Sequence, residues 1–446
     1  MFNFIRKFEI KLKNLCIKTG QIIYLACLNF YENNILESIN SCAFGFIFSF
    51  IPIILIILAV LSGILQAYPS LQNYVMNFVN DLKPVIDISS VLNQVMTMKS
   101  VGWVEIILGI WVVWMARKLF SSILQAINKI FHSVTQRTTL FNQIFVFFLE
   151  LVLVFAILLV VILIFVFNKL SSLPFMKDLE QFLPITLLTK ISSNISLITN
   201  IILFVSSTIL FRLASGVKPK YHLCAFFAAL ATGSFNIVSF FLRLFIDASN
   251  YNLVYGAISS IILLMMQVWF FFMIFLFFAQ VMFCTIYREL LGLGCLYMMP
   301  HNPGEDDSTW SHYKRNLFRL NPTKVTKYET KLYNPGDKIF EEGDNPDCVY
   351  YIRSGSVHRI SKNSESYLNQ GAFFGEMHCM LNIPRTSTAT ACTPCIITQI
   401  KSSEFLSMLH TYPKASSKAI SKISTYTAKL YEMNGSVIFE SQDSEE

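Results

Sequence analysis

The chain has 446 residues, of which 54% are hydrophobic, 41 are Phe and only 14% are charged, and its mean hydropathy is +0.52. That composition lies far from the soluble average and points to a polytopic membrane protein. The net charge of +7 is explained by basic loops on the cytoplasmic side of a membrane and not by nucleic-acid binding.

Residues 1–37 set Arg6, Lys7, Lys11, Lys13 and Lys18 among Phe, Ile and Leu at roughly helical spacing. No long apolar core and small-residue cleavage site follow, so this is not a cleavable signal peptide. An amphipathic helix on the cytoplasmic membrane face and an ordinary packed helix both fit.

Residues 38–290 hold six apolar segments, each near the ~20 residues that cross a bilayer as helix. They lie at Ile39–Leu65, Val101–Leu119, Ile144–Phe167, Ile195–Ala214, Leu223–Ile246 and Val254–Ile286. Arg117, Lys118, Lys129 and Arg137 join the second segment to the third, and Arg212, Lys218 and Lys220 the fourth to the fifth. The alternate connections mix Lys with Asp81, Asp87, Asp178 and Glu180. The positive-inside rule therefore places the basic loops and both termini in the cytoplasm. The outer connections, Tyr68 to Ser100 and Ser171 to Ser193, read as short helices that cap the bundle or lie on lipid.

Polar groups within the segments are few: Glu105, Glu150, Arg243, Asp247, Gln267 and Gln280. Glu150 and Gln280 are the candidates for a membrane pathway, because a carboxylate at membrane depth is costly unless it faces protein or water. A place near the interface explains Glu150 equally well. Arg243 and Asp247, four residues apart, form a local helix pair.

Past Tyr287 the composition changes. Residues 291–323 carry Pro300, Pro303 and Gly304, then Glu305-Asp306-Asp307 and Lys314-Arg315, which suits an exposed linker or a juxtamembrane helix leading into the C-terminal domain. Asn334 to Asp344 reads as strand, tight turn and strand, and Val349 to Val357 as a hairpin closed by Ser354-Gly355. Thr393 to Ile400 reads as a last strand and Ser403 to Leu409 as the start of a closing helix. Cys392-Thr393-Pro394-Cys395 is a lone pair, too weak for metal or redox chemistry, and the ten Cys are scattered without regular spacing. Residues 434–446 form an acidic tail.

The chemistry concentrates in Phe374-Gly375-Glu376-Met377-His378, with Arg385-Thr386 following. Glu376 accepts from hydroxyls such as those of a ribose, Arg385 grips a phosphate with two parallel donors, and Gly375 lets backbone amides approach closely. This stretch resembles the phosphate-binding cassette of the cyclic-nucleotide-binding domain, the jelly-roll-like β-roll of catabolite activators and cyclic-nucleotide-dependent kinases and channels. The likeness covers about residues 324–433. It implies that Phe374, Gly375, Glu376, Met377, Arg385 and Thr386 bind cAMP or cGMP, with Thr386 favouring cGMP slightly. His378 departs from the pattern, since the family places a small residue there. It either obstructs the pocket or brings its own donor.

The membrane half also carries a resemblance. Phe48-Ser49-Phe50-Ile51-Pro52, then Trp114, Ala116, Lys118, Ala126 and Asn128, then Tyr251 with Val254-Tyr255-Gly256-Ala257 are similar to the YihY/BrkB family of bacterial inner-membrane proteins, once labelled ribonuclease BN. Where that family ends its last helix on Gly-Ala-Glu, this chain has Phe278-Ala279-Gln280, which removes a titratable carboxylate. No Walker-type loop, metal-spaced His and Asp cluster or nucleophile elbow is present, so no catalytic or metal residue and no cofactor is expected.

The expectation is an all-α bundle of six transmembrane helices in a bacterial inner membrane, joined to a cytoplasmic β-roll that senses cyclic nucleotide. Its partners would be the lipid bilayer, the nucleotide and, as a possible homo-oligomer, further copies of itself. Two functions follow: ligand-regulated transport or export of a solute or lipid, and a non-transporting scaffold or receptor that anchors a sensor, itself live or degenerate.

Overall fold

A computed structural model describes residues 2–49, 118–131, 195–213, 219–245, 257–299, 318, 328–361 and 364–442. The chain divides into two compact units, one of residues 27–283 and one of residues 1–26 with 284–446.

The basic N-terminal segment is one long helix, α1 (Phe2–Glu32). In the membrane-type unit the described helices are α2 (Ile35–Ser49), α3 (118–131), α4 (Ile195–Leu213), α5 (Tyr221–Phe245) and α6 (Ala257–Ile286). Helices α4, α5 and α6 overlap the fourth, fifth and sixth expected spans and α2 the start of the first, whereas α3 lies mostly in the basic connection read between the second and the third. The third span, Glu150 with it, and most of the second lie outside the described residues. Among those described, Tyr221–Leu242 and Ile262–Ile286 are long and apolar enough to cross a membrane.

Small residues let these helices approach. A Cβ on Gly45 of α2 would sit 3.3 Å from the Leu119 backbone of α3, and the Leu119 amide donates to Ser49 Oγ at 3.2 Å. Such close backbone contact, with a hydroxyl satisfying a helix-end amide, suits a medium that offers no water. Aromatic side chains fill the rest: Phe211 of α4 stacks on Phe275 of α6 at 4.7 Å, and Phe235 of α5 meets Phe271 edge-on at 5.3 Å. The outward side of α5 stays apolar, with Ile237, Phe240 and Leu244 each at least 60% exposed, as a lipid-facing surface requires.

The second unit is a β-roll flanked by helices. Its strands are β1 (Glu329–Tyr333), β2 (Lys338–Phe340), β3 (Cys348–Ser354), β4 (Val357–Ser361), β5 (Ser364–Leu368), β6 (Phe373–Phe374), β7 (Ser387–Ala391) and β8 (Cys395–Lys401). They form two antiparallel four-stranded sheets, ordered β1-β8-β3-β6 and β2-β7-β4-β5. Alternation sets the inner faces: Ser387, Ala389 and Ala391 of β7 point inward while Thr388 and Thr390 do not. Ile352, Val357, Ala389 and Ile397, all fully buried, close the core between the sheets.

One sequence reading is corrected here. Ser354-Gly355 does not close a hairpin: β3 pairs with β8 and β6, while β4 pairs with β5 and β7, so the turn carries the chain from one sheet to the other. Gly355 is required there, at φ +90° and with Cys395 Sγ 2.6 Å from where a Cβ would stand. In the segment read as an exposed linker or juxtamembrane helix, the first residues are helical. Helix α7 (Arg288–Met298) buries Leu291 through Tyr297 within the sensor unit, because its run of Leu, Gly, Cys and Tyr is too apolar to stay in solvent.

The remaining helices are α8 (Glu376–Leu381), α9 (Ser402–Thr411) and α10 (Pro413–Gln442). The last extends well into the stretch read as an acidic tail.

Candidate functional site: the cassette between strands β6 and β7

Gly375 breaks β6 and starts α8 in the left-handed conformation, φ 77°. A side chain there is doubly disfavoured, by the backbone and by Arg385 Nη1, which would lie 2.6 Å from a Cβ. The turn thus places Glu376 at the head of α8 and leaves the Gly375 carbonyl for the arginine.

Arg385 is 2% exposed. Its Nη1 donates to Gly375 O at 2.6 Å and its Nη2 donates to Cys348 O. The guanidinium lies 4.6 Å from the Phe340 ring centroid and 5.6 Å from that of Tyr350, and Phe340, Tyr350 and Phe374 stack on one another. A planar, weakly hydrated cation is the residue type that aromatic faces can hold at depth. Its Nε is buried without a partner.

Glu376 is 6% exposed, and its Oε1 accepts from Lys422 Nζ of α10 at 2.7 Å. His378, buried on α8, turns Nε2 toward Thr386: that nitrogen accepts the Thr386 amide at 3.2 Å and lies 2.8 Å from its hydroxyl. Accepting an N–H fixes Nε2 as unprotonated and leaves the proton on Nδ1, which is buried without a partner. Burial, then the positive charges of Arg385 and Arg359, hold the imidazole below its ordinary pKa, with Glu376 opposing. The residue is therefore neutral at neutral pH.

The expected site residues are thus brought together, in different roles. Gly375, Glu376 and Arg385 form one buried cluster, Thr386 is exposed at its rim, and Met377 is half-buried. Phe374, 1% exposed, lies in the stack behind the guanidinium and supports it. Gln280, the membrane candidate that is described, is fully buried on α6; Glu150 is outside the described residues.

Sequence reasoning missed three residues. Tyr297 of α7 packs edge-on against Phe373 and Phe405 at 5.4 and 5.5 Å. Lys418 Nζ donates to the Tyr297 carbonyl at 2.8 Å, and the ammonium groups of Lys418 and Lys422 each sit 5.2 Å from the Tyr297 ring centroid. Burial, then the charge of Lys422, holds the Lys418 pKa below its usual value. In the sequence, Lys414, Lys418 and Lys422 recur every four residues, the pattern of a solvated helix face; nothing local marks one as turned inward.

A buried arginine and glutamate across a glycine-headed turn, in a two-sheet roll closed by a long helix, define a cyclic-nucleotide-binding type of domain, and the cyclic nucleotide-binding domain model matches residues 330–412. The rest of the chain settles the family: the model described as virulence factor BrkB matches residues 26–290, more than half the chain, and the protein belongs to the BrkB family. Curated relatives match through the sensor domain. The cAMP-dependent protein kinase regulatory subunit of Debaryomyces hansenii is 34% identical over 82 residues, covering 18% of this chain and 18% of that protein. Human potassium/sodium hyperpolarization-activated cyclic nucleotide-gated channel 2 is 32% identical over 90 residues, covering 20% of this chain and 10% of that one. The chain thus spans less than a fifth of these relatives' length. A solved structure, the Thermus thermophilus catabolite activator protein, aligns at 20% identity and TM-score 0.22, covering 25% of this chain and 55% of that chain.

Proposed function

We propose that this BrkB-family membrane protein is regulated by a cyclic nucleotide that binds its C-terminal cassette, and that the membrane unit transports or exports a solute or lipid. The observation that carries the regulatory part is the burial of both Arg385 and Glu376 about the Gly375 turn. A buried guanidinium with an unused Nε and a buried carboxylate a short turn away match a ligand that offers an anion and vicinal hydroxyls. Glu376, Arg385 and Thr386 would make the polar contacts, and Gly375 would hold them in register. The reaction proposed is binding and not catalysis. A scaffold or receptor role for the membrane unit is the second reading, favoured by the apolar, aromatic packing of α4, α5 and α6.

The test is equilibrium dialysis of the full-length protein in lipid nanodiscs against radiolabelled cAMP and cGMP, beside an Arg385→Ala variant with an unchanged circular-dichroism spectrum. Saturable binding lost in the variant is the expected result. A folded wild type that takes up neither nucleotide would sink the regulatory reading, and flux assays in nucleotide-loaded liposomes then separate transporter from scaffold.

A further inference from the structure

The carboxylate of Glu376 is matched within the chain. Lys422 of α10 reaches it at 2.7 Å, with the Lys422 side chain 32% exposed and that of Glu376 8% exposed. The lysine is itself steered: Lys418, one turn earlier, is tied to the Tyr297 carbonyl, and both ammonium groups bracket the Tyr297 ring. Ala415 and Ala419, buried on the same helix, let α10 lie close. The ion pair is thus part of a seated helix and not a chance surface contact, and its low exposure shields it from the screening that makes surface pairs weak.

We propose that Lys422 is an internal competitor for the ribose subsite, so that the Lys422–Glu376 pair latches α10 over the cassette and must open before a ligand is held. This rests on the sensor reading above. A carboxylate this buried needs a donor, and leaving it unpaired carries a desolvation penalty. Two donors are on offer in turn, the lysine ammonium and a ligand's hydroxyl groups. While the first is in place the carboxylate's charge is compensated and its access nearly closed, so the apparent ligand affinity is the intrinsic one multiplied by the fraction of time the latch is open. By the same linkage a ligand that takes Glu376 frees Lys422, and α10 loses one of its ties. Lys422 is therefore a residue that sets ligand affinity without belonging to the ligand's own contacts.

The test uses the full-length protein in nanodiscs with two variants, Lys422→Met, which keeps the aliphatic stem, and Lys422→Arg, which keeps the pairing. Two quantities are read: hydrogen exchange across residues 413–428 without nucleotide, and the dialysis affinity for cAMP and cGMP. Lys422→Met is expected to speed exchange in that segment and to tighten nucleotide binding about tenfold, while Lys422→Arg stays near wild type in both. Unchanged exchange in Lys422→Met overturns the latch, whatever binds. Faster exchange with unchanged or weaker affinity overturns the competition, and makes Lys422 a purely structural or ligand-contacting group. In both cases nucleotide binding that is still lost in Arg385→Ala leaves the sensor reading standing. Binding by none of these proteins overturns both.

Discussion

At the scale of single residues the cassette is set by close tolerances. Gly375→Ala puts a methyl where Arg385 Nη1 now sits and asks an L-residue to hold φ 77°. The left-handed backbone alone costs about 1–2 kcal/mol, so denaturant unfolding is expected to show at least that loss, together with weakened nucleotide uptake as the guanidinium is displaced. His378 gives a pH signature of definite sign. Its pKa in the fold is below the ordinary value of about 6.5, so the unfolded chain takes up the proton first. Stability is then greatest above that ordinary value and falls as the pH drops from it toward the lowered one. His378→Gln, which retains an acceptor for the Thr386 amide, is expected to flatten that part of the profile of unfolding midpoint against pH; an unaltered profile would show that other groups carry it. The glycine, glutamate and arginine were legible in the sequence because their residue types suit a sugar and an anion and because the stretch resembles the phosphate-binding cassette of the cyclic-nucleotide-binding domain. Lys422 was not, because its partner lies 46 positions away and the chain around it reads as an ordinary polar helix face.

At the scale of elements, α7 is a short apolar helix next to the last membrane-type helix. Hydropathy alone cannot distinguish the end of a membrane helix from a short apolar helix that packs on a β-roll. The two glycines of α7 make the packing testable with opposite signs. A Cβ at Gly294 would stand 2.7 Å from the Tyr412 ring, whereas at Gly292 it would meet nothing within 4 Å. Gly292→Ala should therefore raise the thermal midpoint, by the roughly 0.5–1 kcal/mol that alanine gains over glycine in a helix. Gly294→Ala should lower it, since the ring must move. Two shifts of the same sign would mean that α7 does not pack as described. The strands were legible by alternation, but which strands pair was not: the Ser354-Gly355 turn has the composition of a hairpin, and only the sheet order reveals a crossing.

At the scale of the whole molecule, a membrane unit and a sensor unit share one chain, and the positive-inside reading puts the sensor in the cytoplasm. Cys392 is an exposed free thiol of the sensor unit. A membrane-impermeant maleimide should modify it in inverted vesicles and not in intact spheroplasts, as seen by loss of the added mass in a Cys392→Ser control. Modification from outside the cell would reverse the topology. The family and both domains were legible from short motifs in the right order, whereas the register of the membrane helices was not, since lipid-facing and buried positions of such a chain are equally apolar.

The paired state of Glu376 also bears on what a ligand would release as heat. Arg385 and Glu376 already hold hydrogen bonds to Gly375 O, Cys348 O and Lys422, so a nucleotide would exchange one satisfied set for another, and the net enthalpy would be small. The driving force would then come from the entropy of a freed helix. Affinity in this protein would be felt mainly as order given up elsewhere in the chain.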